Sequence, residues 1–251
     1  ETLRERLEVG DAPDAALLAA FTRANTHVFA IAETVRKGAE DAAKQAEADM
    51  PTAKRGDYSK TASLPKSSAP LMGATAVAAI LVGDTLTVAH AGDSRLYRLR
   101  AGSLDSLTFD HSFVAEQVRS GNITEAEARV SRFRNMITRA VGIDDTVTPE
   151  LRTETVAPGD VYLLCTDGLN TMIEDHEIAH FLASPAPASA IASGLVDAAN
   201  KRGGSDNITV VVLRVLDASG GGSDGASAVV APVAVPTPRP APATSAASRP
   251  T

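Results

Sequence analysis

Two aspartates occupy positions where chemistry is easily built. Asp167 follows the apolar run Val161-Tyr162-Leu163-Leu164-Cys165 and precedes Gly168. Asp206 lies in Gly203-Gly204-Ser205-Asp206-Asn207, directly before the apolar run Ile208 to Val212. Each carboxylate therefore sits at the end of a segment with the composition of a buried strand. If the two strands are antiparallel neighbours, the end of one and the start of the other share a sheet edge. Two carboxylates side by side repel unless a proton or a cation lies between them. Hard divalent cations such as Mg²⁺ or Mn²⁺ take oxygen ligands of this kind. The neighbouring glycines let the backbone approach a ligand closely. Asp-Gly is also a common turn and Ser-Asp-Asn a common loop. Spacing alone therefore leaves plain turn chemistry standing beside a metal site.

Other reactive side chains offer less. Asp93 and Arg95 flank a turn into a strand within Ala91-Gly92-Asp93-Ser94-Arg95. Locally they read as an exposed ion pair of little energetic weight, or with Asp93 orienting a nearby site. The five histidines (27, 90, 111, 176 and 180) show no zinc-ligand spacing, and His176 and His180 lack the H-E-x-x-H context. Cys165 is the only cysteine and lies inside an apolar strand, which predicts an inert buried thiol and excludes an internal disulfide. No Gly-rich loop of the P-loop or dinucleotide type occurs.

The elements that must position these residues follow from hydrophobic period. Thr2 to Leu7 reads as a helix end, and Asp11 caps a second helix with Pro13 in its first turn. Leu17, Leu18, Phe21, Val28, Ile31, Ala32 and Val35 recur near 3.6 residues and predict one buried face. From Gly38 to Pro70 that face is lost, which predicts a frayed end and a mobile loop insertion over 38–70. Ala74 to Val82 reads as a strand buried on both faces. A Gly83-Asp84 turn leads into Thr85 to Ala91, then strands follow over Ser94 to Arg100 and Leu104 to Thr108. Helices are predicted over Ser112 to Ser120 and Thr124 to Val130, and short strands over Met136 to Val141 and Glu150 to Val156. Val161 to Thr166 is a buried strand, two helices lie near Asp175 to Ala183 and Ala188 to Lys201, and Ile208 to Val215 closes as a strand. Strands, then helices, then strands, joined by hairpins, fit an α+β layered fold rather than a doubly wound sheet.

Composition sets the frame. The 251 residues carry 24 Lys plus Arg against 31 Asp plus Glu, a net charge of −7. That balance argues against wholesale nucleic-acid binding and leaves cationic ligands open. No apolar run approaches the roughly 20 residues of a bilayer span, and no signal peptide is visible. A cytoplasmic location is the expectation. Residues 217–251 are rich in Pro, Ala, Gly and Ser and lack Leu, Ile and aromatic residues, which predicts a disordered tether. The tether could lead to a membrane span or a further domain. The chain begins with Glu1, which reads as a piece of a longer protein.

Taken in order, six segments carry a resemblance. Met72-Gly73-Ala74-Thr75 and Ala89-His90-Ala91-Gly92-Asp93-Ser94-Arg95-Leu96-Tyr97 resemble the M-G-T-T and V-G-D-S-R segments of the metal-dependent protein serine/threonine phosphatases (the PPM family, type 2C phosphatases). Asp110-His111-Ser112-Phe113-Val114, with Gly121-Asn122-Ile123-Thr124-Glu125-Ala126-Glu127-Ala128, resembles the D-H-S-x-V and G-x-I-T-x-E-E-A stretch of bacterial members. Asn135 to Gly142, Gly159 to Leu169, and Gly204-Ser205-Asp206-Asn207-Ile208-Thr209 are similar to the remaining elements. The likeness spans roughly Leu71 to Val215.

The resemblance implies a four-layer α-β-β-α sandwich of antiparallel sheets flanked by helices, over a domain of residues 1–216. It implies two Mn²⁺ or Mg²⁺ ions held by Asp167 and Asp206, with Asp110 helping to hold a weaker third. Gly73, Thr75, Asp93, Ser94, Arg95, Gly168 and Asn207 are implied as supporting residues. The implied reaction is hydrolysis of phosphoserine or phosphothreonine on proteins by a metal-activated water, with no protein nucleophile. Phosphorylated proteins are the implied partners, together with a Ser/Thr kinase and its substrates, and the protein reads as a monomer. Family members carry an acidic ligand and a D-G-M-G-G-H segment before the first long helix. Neither occurs here, so the resemblance implies missing amino-terminal strands and low activity for these 251 residues alone. A non-catalytic, phosphatase-like binding module is the alternative.

Overall fold

The computed structural model describes residues 2–48 and 72–216. The expected tether over 217–251 and the loop residues 49–70 lie outside the described residues.

Two antiparallel sheets face each other. β1 (Ala76–Val82), β2 (Thr85–Ala91) and β5 (Glu150–Thr155) form one sheet in the order β1-β2-β5. The other holds β3 (Arg95–Arg100), β4 (Ser103–Ser106), β6 (Val161–Cys165) and β7 (Val210–Arg214), ordered β4-β3-β6-β7. The helices are α1 (Thr2–Glu8), α2 (Pro13–Ala48), α3 (Phe113–Arg119), α4 (Glu125–Val130), α5 (Asp167–Asn170), α6 (Asp175–Leu182) and α7 (Ala188–Lys201).

Strand alternation divides the apolar side chains into three clusters, one per layer boundary. Ala89 and Ala91 of β2 meet Leu17 and Phe21 of α2. Leu86 and Val88, on the opposite face of β2, meet Leu96 and Tyr162 between the sheets. Leu163, Cys165 and Val210 pack under α5, α6 and α7 through Leu169, Ile178 and Leu195. The order is helix, sheet, sheet, helix, as expected from the sequence.

The sequence and the structure differ at four places. α2 does not fray at Gly38 but continues to Ala48. Ala, Lys, Glu and Gln are strong helix formers, so the helix outlasts its apolar face. Of that face, Leu17 and Phe21 are buried whereas Leu18, Ile31 and Val35 are exposed, because only the first half of α2 lies against the sheet. β1 is an edge strand and is half-buried over most of its length rather than enclosed on both faces. Residues 136–141 form no strand. They divide their backbone bonds between His111–Phe113 at one end and Ala74 at the other. By length and composition α2 is also apolar enough to cross a membrane, a property that no unbroken apolar run in the sequence discloses. Its buried residues nonetheless cover the three-stranded sheet.

One polar residue fixes α2 to the body of the domain. Asn25 is buried, its Nδ2 donates to the carbonyls of Asp144 and Asp145, and its Oδ1 accepts from Gly142 N at 2.7 Å. Asn25→Ala leaves three backbone groups unpaired and is expected to cost about 2 kcal/mol. A lowered urea midpoint with an unchanged m-value is the check.

Candidate metal centre

β6 is the central strand of its sheet, bonded to β3 on one side and β7 on the other. Its carboxyl end and the amino end of β7 meet because they pair antiparallel, Cys165 opposite Val210. The chain continues the pairing beyond the strands. Thr166 N donates to the Thr209 carbonyl, Thr209 N donates to Thr166 Oγ1, and Thr166 Oγ1 donates to the Asn207 carbonyl at 3.0 Å. Thr166 thereby clamps the Asp206-Asn207 turn beside Asp167. α5, which the sequence reading did not resolve, starts at Asp167 and buries Leu169 completely. Gly168 is required by contact, since a Cβ there would lie 2.5 Å from the Asn207 carbonyl oxygen.

Asp93 and Asp110 join from the other sheet connections. Gly92 takes φ +115°, and a Cβ there would meet Thr75 at 2.4 Å. That close turn carries Asp93, and the next residue, Ser94, shares a 2.9 Å hydroxyl bond with Thr75. Gly73 precedes this contact and lies against Ile143. Arg95 is not the local partner of Asp93. It pairs in fork geometry with Asp110, Nε to Oδ1 and Nη2 to Oδ2, both at 2.7 Å. Its Nη1 donates to Tyr97 Oη, which donates to Asp175. Asp110 is thus positioned by β3 across 15 residues of sequence.

The electrostatics link four carboxylates through Asp167, which feels Asp206 and Asp110 and acts in turn on Asp93. The Asp93 carboxyl is pushed up to about 6, first by burial and then by the charges of Asp167 and Asp110. Asp167 is pushed up by burial and by Asp206. Arg95 is the cation among them, and its fork is spent on Asp110. A carboxylate has about four lone-pair sites, so Asp110 keeps outward-facing acceptor capacity. The remaining negative charge suits a small divalent cation with oxygen ligands. Asp167 lies within electrostatic reach of Asp206, Asp110 and Asp93, and carboxylate oxygens are the ligand type that such a cation takes.

The structure also brings together residues that the sequence reading kept apart. His90 and His111 stack with ring centroids 4.5 Å apart and planes 8° from parallel, and Glu150 lies 3.3 Å from His111 Nε2. With a nitrogen or carboxylate oxygen each, the three form the one His/Cys/Asp/Glu group of this compactness among the described residues. Parallel rings keep their lone pairs in separate planes, and His90 Nε2 and His111 Nδ1 are already engaged by backbone groups. The stack serves as a brace. His90 Nε2 donates to the Phe109 carbonyl, and His111 Nδ1 accepts from Gly92 N, which holds the backbone on both sides of Asp110 and Asp93. Burial lowers the His111 pKa, keeping the ring neutral as these bonds require. No spacing rule signals this pair, since His90 and His111 are 21 residues apart and meet through β-sheet topology.

The chain is thus an antiparallel sandwich flanked by helices, with carboxylates near the ends of its strands. The sequence pattern of the Protein phosphatase 2C family matches residues 17–208, and the chain belongs to that family, which is metal-dependent. A putative 2C-type protein phosphatase of Streptococcus pyogenes is 40% identical over 142 residues, 57% of this chain and 58% of its own length. The chain therefore spans little more than half of that curated relative. The solved serine/threonine phosphatase of S. agalactiae is 30% identical with a TM-score of 0.63, covering 80% of this chain and 70% of that one. The catalytic domain of the serine/threonine phosphatase PstP, solved with two manganese ions, is 31% identical with a TM-score of 0.63, covering 86% and 78%.

Proposed function

We propose that this chain belongs to a protein phosphatase that hydrolyses phosphoserine and phosphothreonine on proteins. The observation that carries the reading is the convergence of Asp167 and Asp206, clamped side by side by Thr166. In this reading Asp167 and Asp206 hold two Mn²⁺ or Mg²⁺ ions and Asp110 contributes to a weaker third. Bound there, such ions lower the pKa of water and draw charge from phosphoryl oxygens. Asp93 supports the ligands from behind, and Arg95 fixes the direction of Asp110. Gly168 and Asn207 set the spacing between the two ligand segments. No side chain acts as nucleophile, in keeping with Cys165, whose thiol burial pushes up to about 12.

The substrates are phosphorylated proteins, among them a Ser/Thr kinase and the proteins it modifies. The chain acts as a monomer in the cytoplasm. The test is phosphate release from a phosphothreonine peptide with Mn²⁺, on the chain as its gene encodes it, with Asp206→Asn as control. Release that depends on metal and is lost in the control is the expected result. Silence of the gene-encoded chain at all metal concentrations would overturn the reading in favour of the binding-module alternative.

A further inference from the structure

The chain is acidic, yet one short stretch of it is the reverse. Among the described residues nine arginines pair with carboxylates. Arg214 donates to the Ser184 carbonyl. The five arginines without a carboxylate partner, Arg119, Arg129, Arg132, Arg134 and Arg139, all fall within 21 residues and are all exposed.

Their placement is specific. The segment 136–139 runs back along 111–113, with Thr138 N donating to the His111 carbonyl and Phe113 N to that of Met136. Arg139 Nη1 lies 3.1 Å from His111 Nε2, one residue from Asp110. Arg119 lies over the ring of Phe109, one residue from Asp110 on the other side. Arg132 and Arg134 occupy the turn after α4, closed by the bond from Arg134 N to the Ser131 carbonyl. That turn is anchored by Phe133, which meets Phe113 edge-on at 5.6 Å and carries the Arg132 guanidinium on its face at 4.5 Å.

Exposed guanidinium groups on an anchored turn, beside these carboxylates, are free to take an anionic partner. We propose that Arg119, Arg132 and Arg134 form a docking surface for acidic residues flanking the phosphorylated residue of a protein substrate. The inference rests on the phosphatase reading for the phosphate and names the substrate class. A planar fork takes the carboxylates of Asp and Glu bidentately, which a lysine surface does not. The surface also offsets the repulsion that the carboxylate centre exerts on an approaching acidic chain. An acidic peptide is favoured over nucleic acid because the basic surface here is a small patch of a few arginines within 21 residues, short of a groove-length track of phosphate contacts.

The test is fluorescence anisotropy on the full chain with three labelled peptides of equal length. One is a phosphothreonine peptide flanked by Asp and Glu, one is the same peptide flanked by Lys, and one is the acidic peptide without phosphate. The acidic phosphopeptide is expected to bind about tenfold tighter than the Lys-flanked one, an advantage that collapses at high salt. Arg132→Gln with Arg134→Gln reduces that ratio to near unity, whereas Arg132→Lys with Arg134→Lys retains most of it. Equal binding of the two phosphopeptides by the unmodified chain overturns the proposal, as does a ratio that survives the Gln variant. A short single-stranded oligonucleotide that outcompetes the acidic peptide also overturns it. Acidic peptide bound equally with and without phosphate upholds the docking surface while counting against the phosphatase reading. Phosphopeptide turnover with no acidic preference does the opposite.

Discussion

Asp167→Asn removes metal-dependent phosphate release, lowering kcat by at least about 100-fold, while leaving the fold intact and somewhat more stable. The side chain keeps its shape, so α5 still starts in place and Thr166 still clamps the Asn207 turn. What disappears is one negative charge from a group that burial and Asp206 already make costly to ionise. Loss of an ionised oxygen ligand weakens divalent-cation affinity, and the chemistry that the ion supplies goes with it. The same deletion relieves repulsion among the carboxylates, which raises stability in the absence of metal, as commonly happens when a functional site is disarmed. Two readings of one thermal melt separate these effects. Without metal the variant melts at or above the unmodified chain. With Mn²⁺ the unmodified chain gains stability by mass action and the variant gains much less. A variant that melts lower in both conditions would show that Asp167 is structural, and the site assignment would fail.

The second large effect lies at the far end of the same strand, roughly 20 Å from Asp167 by strand rise. Asp160 precedes β6 and is 1% exposed. It accepts from Arg100 Nε and Nη2 at 2.8 and 2.6 Å, from Ala157 N at 2.8 Å and from Tyr162 Oη at 3.1 Å. Arg100 ends β3, so this carboxylate ties β3, β6 and the inter-sheet tyrosine at one point. Asp160→Ala is expected to cost about 3 kcal/mol, because buried donors lose their acceptor and Arg100 recovers only part of its hydration. At this chain length that corresponds to a fall in Tm of about 6–12 °C. The Arg100 guanidinium is the main reason that the Asp160 carboxyl is held down to about 2. A folded pKa below the unfolded one means the stabilisation is complete above about pH 4 and is lost as pH falls toward 2. Asp160→Asn therefore differs most from the unmodified chain at neutral pH and converges with it in acid. Melting curves over pH 2 to 7 check this, and parallel curves at all pH would refute it.

These two residues also show what sequence carries. β6 is legible because a central strand buried on both faces must be apolar throughout, and β7, though at the sheet edge, is just as apolar. An acidic residue at the end of such a run then has few places to be except the sheet edge. From there the neighbourhood of Asp167 and Asp206 follows. The partners of Arg95 did not follow. Sequence proximity pointed to Asp93, whereas strand pleat and the β3–β4 turn carry Arg95 to Asp110. The buried face of α2 was over-read for a related reason. Ile31 and Val35 keep helical period with Leu17 and Phe21, but period reports a face and says nothing of how far the surface beneath it extends. The stack of His90 on His111 is purely tertiary, set by which strands adjoin. β1 was read as enclosed because small apolar residues suit an edge strand and a central one alike.

Cys165, two residues before Asp167, has a further consequence. Peroxide and alkylating reagents attack the thiolate, and a fully buried thiol that ionises only near pH 12 offers almost none at neutral pH. Phosphatases that use a cysteine nucleophile are silenced when the cell becomes oxidising, because their reactive sulfur is the first target. A site made of carboxylates on this scaffold has no such sulfur within it. If the chain dephosphorylates proteins as proposed, that activity depends on no reactive thiol at Cys165 and is insulated from oxidation there.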